Sequence, residues 1–169
     1  LPPLPHIVAA AWARSIRAGT PPLVPGEALS EAERDPEGSA ARLARWGMAG
    51  PAWLLLEGAD GVPRLRERLR PAFLVGRTRT LAALRALQEA AAVLAAEEID
   101  LLVTQGAALL GSVPLPHPEL RAMVDADVLV RPHQAEMARR SLIEGGFHPM
   151  DGVGRYGWES GVLDLHVRP

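Results

Sequence analysis

The alternating segment at residues 124–130, VDADVLV, constrains the fold more than any other part of the chain. Its period of two is typical of a strand that buries one face. Side chains at positions i and i+2 of a strand point to the same face, so Asp125 and Asp127 should project side by side. Two carboxylates held that close repel each other unless a cation or water screens them. The face that carries them is therefore either plain solvent-exposed surface or a metal site.

The chain before this segment has mainly helical patterns. A turn is expected at residues 58–63 between two helices, and Ser30 followed by Glu33 has the spacing of a capping box, which predicts a helix start at Ser30. Residues 78–98 predict another helix, and its core-packing stripe is expected to be Leu81, Leu84, Leu87, Ala91 and Leu94.

The pattern changes after residue 98. A short strand is predicted at residues 99–104, a proline-broken loop at 113–121, and a helix that begins near Pro132 and ends at Gly145 and Gly146. Three short extended segments follow. This order predicts an α+β fold, with an N-terminal helical region at residues 1–97 and a mixed β-sheet flanked by helices at residues 98–169.

Composition excludes several classes of function. All 18 basic residues are arginine, so enzymes that need a P-loop lysine or a Schiff-base lysine are excluded. Cysteine is absent, which excludes disulfides, thiolate metal sites and thiol nucleophiles. A net charge of −2 argues against a general nucleic-acid-coating role. No apolar run reaches the ~18 residues that span a bilayer, and the N-terminus is a poor signal peptide, so we expect no membrane association and a cytoplasmic location.

Two further features bear on the aspartate pair. Gly106 follows a predicted strand and opens a small-residue segment, which would let a phosphate approach the backbone N–H groups. Asp164 lies between two leucines in the last predicted strand, and its clustering with Asp125 and Asp127 would be costly without a divalent ion such as Mg²⁺. His166 should share a face with Asp164, where it either orients that carboxylate, touches a phosphate or is a core histidine.

The remaining candidates carry less weight. His117, His133 and His148 lack the spacing of metal ligands, and Ser112 has no nearby base that would make it a nucleophile.

In order along the chain, the segments QGAALLGS, ELRAMVDADVLV, IEGGF and VLDLH resemble the uncharacterised nucleotidyltransferases of the polymerase-β-like superfamily. The resemblance covers about residues 99–169, and the helices of 40–98 fit the region that precedes this core in the family. It implies transfer of a nucleoside monophosphate from an NTP to a hydroxyl acceptor on a small molecule, a protein or an RNA end. It also implies Mg²⁺, with Mn²⁺ as an alternative.

The resemblance also assigns roles by position. Asp125, Asp127 and Asp164 correspond to the catalytic, metal-binding carboxylates. The residues implied to bind the substrate are Gln105, Gly106, Ala107 and Arg121, and His166 joins them if it touches a phosphate.

Two departures from the family pattern leave an alternative open. The lysine that normally precedes the glycine is Gln105 here, which weakens the expected phosphate clamp. Relatives usually continue past the third carboxylate, so truncation of the core at its C-terminal end is an open alternative. The competing interpretation is a catalytically silent relative that acts as a nucleotide-binding or protein-interaction module.

Overall fold

A computed structural model describes residues 2–18, 22–57, 59–112, 121–152, 154–159 and 161–167. The chain divides into two compact units, of which the first comprises Leu1–Arg77 with Glu119–Ala122 and the second Thr78–Pro118 with Met123–Pro169. The division falls inside a long helix. The boundary predicted between residues 97 and 98 stays a prediction. Most of the loop expected at residues 113–121 lies outside the described residues.

The first unit is helical. Its helices are α1 (Leu4–Ala18), α2 (Gly26–Arg34), α3 (Pro36–Arg45), α4 (Ala49–Leu55) and the first part of α5 (Pro63–Ala96). Their apolar faces meet in a core whose fully buried members include Leu43, Ala52, Leu65 and Leu69. The turn expected between two helices around residues 58–63 is confirmed. The helix after this turn and the helix predicted at residues 78–98 are not separate, because α5 is one helix that continues through Pro71 without a break.

The carboxylate of Glu33 caps the start of α5 from a distance in sequence. Its two oxygens accept hydrogen bonds from the backbone N–H groups of Arg64, at 3.0 Å, and Leu65, at 2.9 Å. Burial acts to raise the pKa of Glu33, but these two bonds and the Arg64 guanidinium outweigh it, so the pKa lies below its usual value. Glu33 thus satisfies N–H groups that the first turn of a helix leaves unpaired.

The capping box predicted at Ser30 is therefore wrong. Ser30 lies inside α2, which begins at Gly26, and Glu33 caps a different helix. The spacing of a capping box is local, whereas the N–H groups that Glu33 satisfies lie 31 and 32 residues away in sequence. A local motif could not identify these partners.

The second unit is built on a five-stranded mixed sheet. Its strands are β1 (Leu101–Val103), β2 (Ala126–Val130), β3 (His148–Pro149), β4 (Arg155–Trp158) and β5 (Gly161–Val167), in the spatial order β1-β2-β5-β4-β3. Strands β2 and β5 are parallel, and the other neighbours are antiparallel. Helix α6 (Gln105–Ser112) follows β1, and α7 (Ala135–Glu144) follows β2 through a 3-10 turn at Pro132–Gln134. The predicted α+β class with a mixed sheet is confirmed.

One face of this sheet forms the core of the second unit. The buried side chains of β2 and β5 alternate along each strand and pack with alanines of α5 and with Ala138 and Leu142 of α7. The main members of this core are Ala126, Val128, Val130, Leu163, Leu165, Ala83, Ala86, Ala90, Ala138 and Leu142. The approach is close, because a Cβ added to Gly161 would collide with the carbonyl oxygen of Ala82. Tyr156 belongs to the same core, and burial raises the pKa of its hydroxyl.

The core stripe predicted for residues 78–98 is wrong in part. Leu94 is buried as expected, but the stripe runs through Ala83, Ala86 and Ala90, while Leu81 is 45% exposed. Leu84 and Leu87 pack at the edge of the core. Because the strands come so close to α5, the helix presents alanines to the sheet and places its larger leucines to the side.

Candidate metal and nucleotide site

The parallel pairing of β2 with β5 aligns the two central aspartates of the site. Asp127 is the direct Cα partner of Asp164, so their side chains project from neighbouring strands to the same face of the sheet. Both residues alternate with buried neighbours: Ala126 and Val128 flank Asp127, and Leu163 and Leu165 flank Asp164. The apolar pattern of each strand therefore fixes the carboxylates on the face opposite the core.

His166 completes a compact group of three possible ligands. One ligand atom each from Asp127, Asp164 and His166 lies within 4.8 Å of the others. The Nε2 atom of His166 is 3.0 Å from Asp127 Oδ1 and 3.9 Å from Asp164 Oδ1. Hard carboxylate oxygens suit Mg²⁺ and Mn²⁺, and imidazole is a ligand for several transition metals. The donor set therefore fits a divalent cation.

Gln105, which follows β1, also contacts Asp127. It is the first residue of α6, its amide nitrogen donates a 2.8 Å hydrogen bond to Asp127 Oδ1, and its backbone φ is +50°. A residue with a side chain rarely adopts this left-handed conformation, which costs roughly 1–3 kcal/mol where the surroundings impose it. Strand β1 is anchored to the same aspartate, since the N–H of Thr104 donates to the Asp127 carbonyl oxygen at 2.9 Å.

Asp125 has a different partner from the other two carboxylates. It precedes the first residue of β2, and its Oδ2 lies 3.4 Å from Nη2 of Arg155. Asp125 is not a member of the group formed by Asp127, Asp164 and His166. The structure brings Asp127 and Asp164 together, and the metal site of three carboxylates stays a prediction.

Arg155 is the site residue that sequence reasoning missed. It is the Cα partner of Asp164 on β4, so its side chain shares the face of the aspartates. The alternation of RYGW gives a weak sign that Arg155 faces away from the core, since Tyr156 is buried. Nothing local in the sequence predicts which strand lies beside β5.

The other predicted substrate-binding residues occupy two places. Gly106 and Ala107 are buried in the first turn of α6, next to Gln105. Arg121 is exposed and belongs to the first unit, so its predicted role stays a prediction. The side chain of Ser112 and all of His117 lie outside what the structure describes, whereas His133 and His148 are exposed, as expected for surface histidines.

Among the described residues, no helix has both the length and the apolar character that crossing a bilayer requires.

Comparison with known proteins identifies the family. The family described as "Uncharacterised nucleotidyltransferase" matches residues 32–168, which extends well before the segments that carry the motifs. No curated protein and no solved structure gives a significant match. The match covers most of both units, and the mixed sheet flanked by helices is consistent with a minimal nucleotidyltransferase fold. The chain therefore belongs to this family of uncharacterised nucleotidyltransferases.

Proposed function

We propose that this chain transfers a nucleoside monophosphate from an NTP to a hydroxyl acceptor, with Mg²⁺ or Mn²⁺ as its cofactor. The main observation behind the proposal is that Asp127 and Asp164 lie directly opposite each other on the parallel strands β2 and β5. Two carboxylates whose strands hold them next to each other are unfavourable without a nearby positive charge. Family membership supplies the chemistry that such a pair would serve.

Asp127 and Asp164 would hold the cation, with Asp125 as a further ligand once it leaves Arg155. When bound, a divalent cation would neutralise the charge of the triphosphate and of the departing pyrophosphate. The acceptor oxygen forms a bond to the α-phosphorus, the bond to pyrophosphate breaks, and a carboxylate of the site takes the hydroxyl proton. Asp164 is our candidate for the carboxylate that takes this proton, because its side chain is 23% exposed and a second substrate can therefore reach it.

The other residues would orient these groups. His166 is 3.0 Å from Asp127 and would fix the direction of its carboxylate. Gln105 also holds Asp127, and Gly106 and Ala107 would let the triphosphate approach the first turn of α6. Substrate recognition in this region thus relies on neutral groups, because Gln105 brings no charge.

One observation favours the silent relative as a second candidate. Asp127 Oδ1 has both Gln105 and His166 as partners, and Asp125 is paired with Arg155. The protein itself therefore supplies part of the compensation that a cation would give. A nucleotide-binding or protein-interaction module without transfer activity would be expected to show such internal pairing.

Two measurements on one preparation separate these candidates. Isothermal titration with each of the four common NTPs, with and without Mg²⁺, should show Mg²⁺-dependent binding of at least one NTP. Release of pyrophosphate from that NTP, with candidate acceptors supplied, should require Asp164, and Asp164→Asn should abolish it. Binding without pyrophosphate release in any acceptor pool supports the silent relative. Absence of NTP binding at millimolar concentration contradicts the enzyme.

A further inference from the structure

We propose that Arg155 is the cation that binds the triphosphate in this site, where Gln105 supplies no charge. This inference rests on the proposed function, since it assigns a residue to the same nucleotide. It extends the site from β2 and β5 to β4, a strand to which neither the sequence motifs nor the family match assigns a role.

The position of Arg155 follows from the register of three strands. Asp127, Asp164 and Arg155 are successive Cα partners across β2, β5 and β4, so their side chains form one row on the same face. Neighbouring strands lie about 4.8 Å apart, which places Arg155 within side-chain reach of anything bound over the aspartates. Gln105 contacts the opposite end of this row through Asp127. The charged donor is thus beside Asp164, and the neutral one is beside Asp127.

The guanidinium of Arg155 has donor capacity to spare. Its Nε is shielded from solvent and has no hydrogen-bond partner among the described residues. A buried donor without an acceptor is unfavourable, so this N–H would gain from a phosphate oxygen. Its contact with Asp125 is long for a hydrogen bond, at 3.4 Å, and the two side chains are 42% and 27% exposed. Such a partly exposed pair is weak, and exchanging it for a phosphate costs little.

The backbone holds Arg155 in place for this role. Its own N–H donates to Asp151 Oδ1 at 3.2 Å. The preceding Gly154 has φ +105°, and a Cβ there would lie 2.7 Å from the carbonyl oxygen of Leu165. Only glycine fits this turn, so the start of β4 is tightly determined. The planar fork of arginine can bind a phosphate through two parallel hydrogen bonds, which a lysine cannot do.

When a nucleotide binds, the exchange leaves Asp125 free. The guanidinium moves from the Asp125 carboxylate to the triphosphate, and Asp125 becomes available to the cation beside Asp127. Arg155 therefore competes with the metal for Asp125 before the nucleotide arrives and supports the nucleotide afterwards. Removing the charge of Arg155 should therefore weaken binding of the nucleotide but not weaken binding of the cation.

The test is to titrate two variants, Arg155→Gln and a matched control, first with an NTP in the presence of Mg²⁺ and then with Mn²⁺ alone. The control is Arg131→Gln, an exposed arginine of the second unit whose partner is Asp100. With Mg²⁺ and the NTP that wild type binds, Arg155→Gln should bind about tenfold more weakly and Arg131→Gln should be unchanged. With Mn²⁺ alone, Arg155→Gln should bind at least as tightly as wild type, because Asp125 has lost its competing partner.

Two further variants separate charge from folding. Arg155→Lys keeps the charge without the fork and should fall between wild type and Arg155→Gln, and it serves as the test if Arg155→Gln does not fold. Adding Gln105→Lys to Arg155→Gln should recover most of the lost affinity.

If Arg155→Gln binds the NTP as tightly as wild type, the inference is wrong and the proposed function stands. Equal losses in Arg155→Gln and Arg131→Gln would indicate only general electrostatics and also overturn it. If wild type binds no NTP, both proposals fall.

Discussion

Asp127→Asn should make the metal-free protein more stable, although it weakens the hydrogen bonds that Asp127 Oδ1 forms with Gln105 and His166. The ligand atoms of Asp127, Asp164 and His166 lie within 4.8 Å of one another. Two unit charges at that separation repel by about 3.5 kcal/mol at an effective dielectric constant of about 20. Partial exposure and the donors from Gln105 and His166 reduce this, so we expect a net gain of about 1 kcal/mol in the free energy of unfolding.

The same substitution should remove the response to metal. A cation at one hundred times its dissociation constant stabilises the folded chain by about 2.7 kcal/mol. In a chain of this size each kcal/mol raises the melting temperature by about 2–4 °C, so saturating Mg²⁺ should raise it by roughly 5–10 °C in wild type. Asp127→Asn should show almost none of that rise.

Differential scanning calorimetry at pH 8 measures both effects. Asp100→Asn is the matched control, because Asp100 is an exposed aspartate of the same unit and forms a surface ion pair with Arg131. The control should keep the full metal response. If Asp127→Asn and wild type shift equally with Mg²⁺, the ion binds elsewhere and the reasoning fails.

Three other substitutions test parts of the account. Glu33→Gln should lower the free energy of unfolding by about 1–2 kcal/mol at pH 7. Because the folded-state pKa of Glu33 is lowered, this difference in stability should be complete above pH 4.5, the ordinary pKa of the group, and should disappear as the pH falls through the folded-state pKa. Urea unfolding at pH 7 and at pH 3 measures the difference. A difference that does not depend on pH would contradict the capping role of Glu33. Gly161→Ala should destabilise the chain by about 1–3 kcal/mol in urea unfolding, since the added Cβ meets Ala82 of α5, and unchanged stability would show a looser packing than described. Gln105→Lys should tighten NTP binding about tenfold in isothermal titration. An unchanged affinity would contradict the claim that a positive charge at position 105 binds the triphosphate.

The parts of the fold that depend on local pattern could be predicted from the sequence. The alternation around Asp127 and the leucines beside Asp164 correctly assign both aspartates to the face opposite the core, because burial of one strand face decides the other. The predicted end of helix α7 at Gly145 and Gly146 is confirmed, since these residues act within one turn, but Pro132 lies in the 3-10 turn before α7 and not in the first turn of the helix.

The parts that depend on distant partners could not be predicted in the same way. The register that sets Asp127 opposite Asp164 joins residues 37 positions apart and results from packing, not from either strand alone. The position of Arg155 beside Asp164 cannot be predicted for the same reason, because it depends on the pairing of β4 with β5. The prediction that Leu81 belongs to the core face of α5 is wrong because periodicity marks the large apolar residues, whereas the close approach of the sheet favours alanines.

The central claim is that Asp127 and Asp164 together hold a divalent cation, and Mn²⁺ binding followed by electron paramagnetic resonance tests it most directly. Free Mn²⁺ gives a six-line signal that diminishes when the ion binds protein, so titration needs neither the nucleotide nor the acceptor. We predict that wild type depletes the free signal in a saturable way, that Mg²⁺ reverses the depletion, and that Asp127→Asn and Asp164→Asn each weaken it at least tenfold. Asp100→Asn should behave as wild type. Depletion that persists in both site variants, or no depletion by wild type at millimolar protein, would contradict the claim.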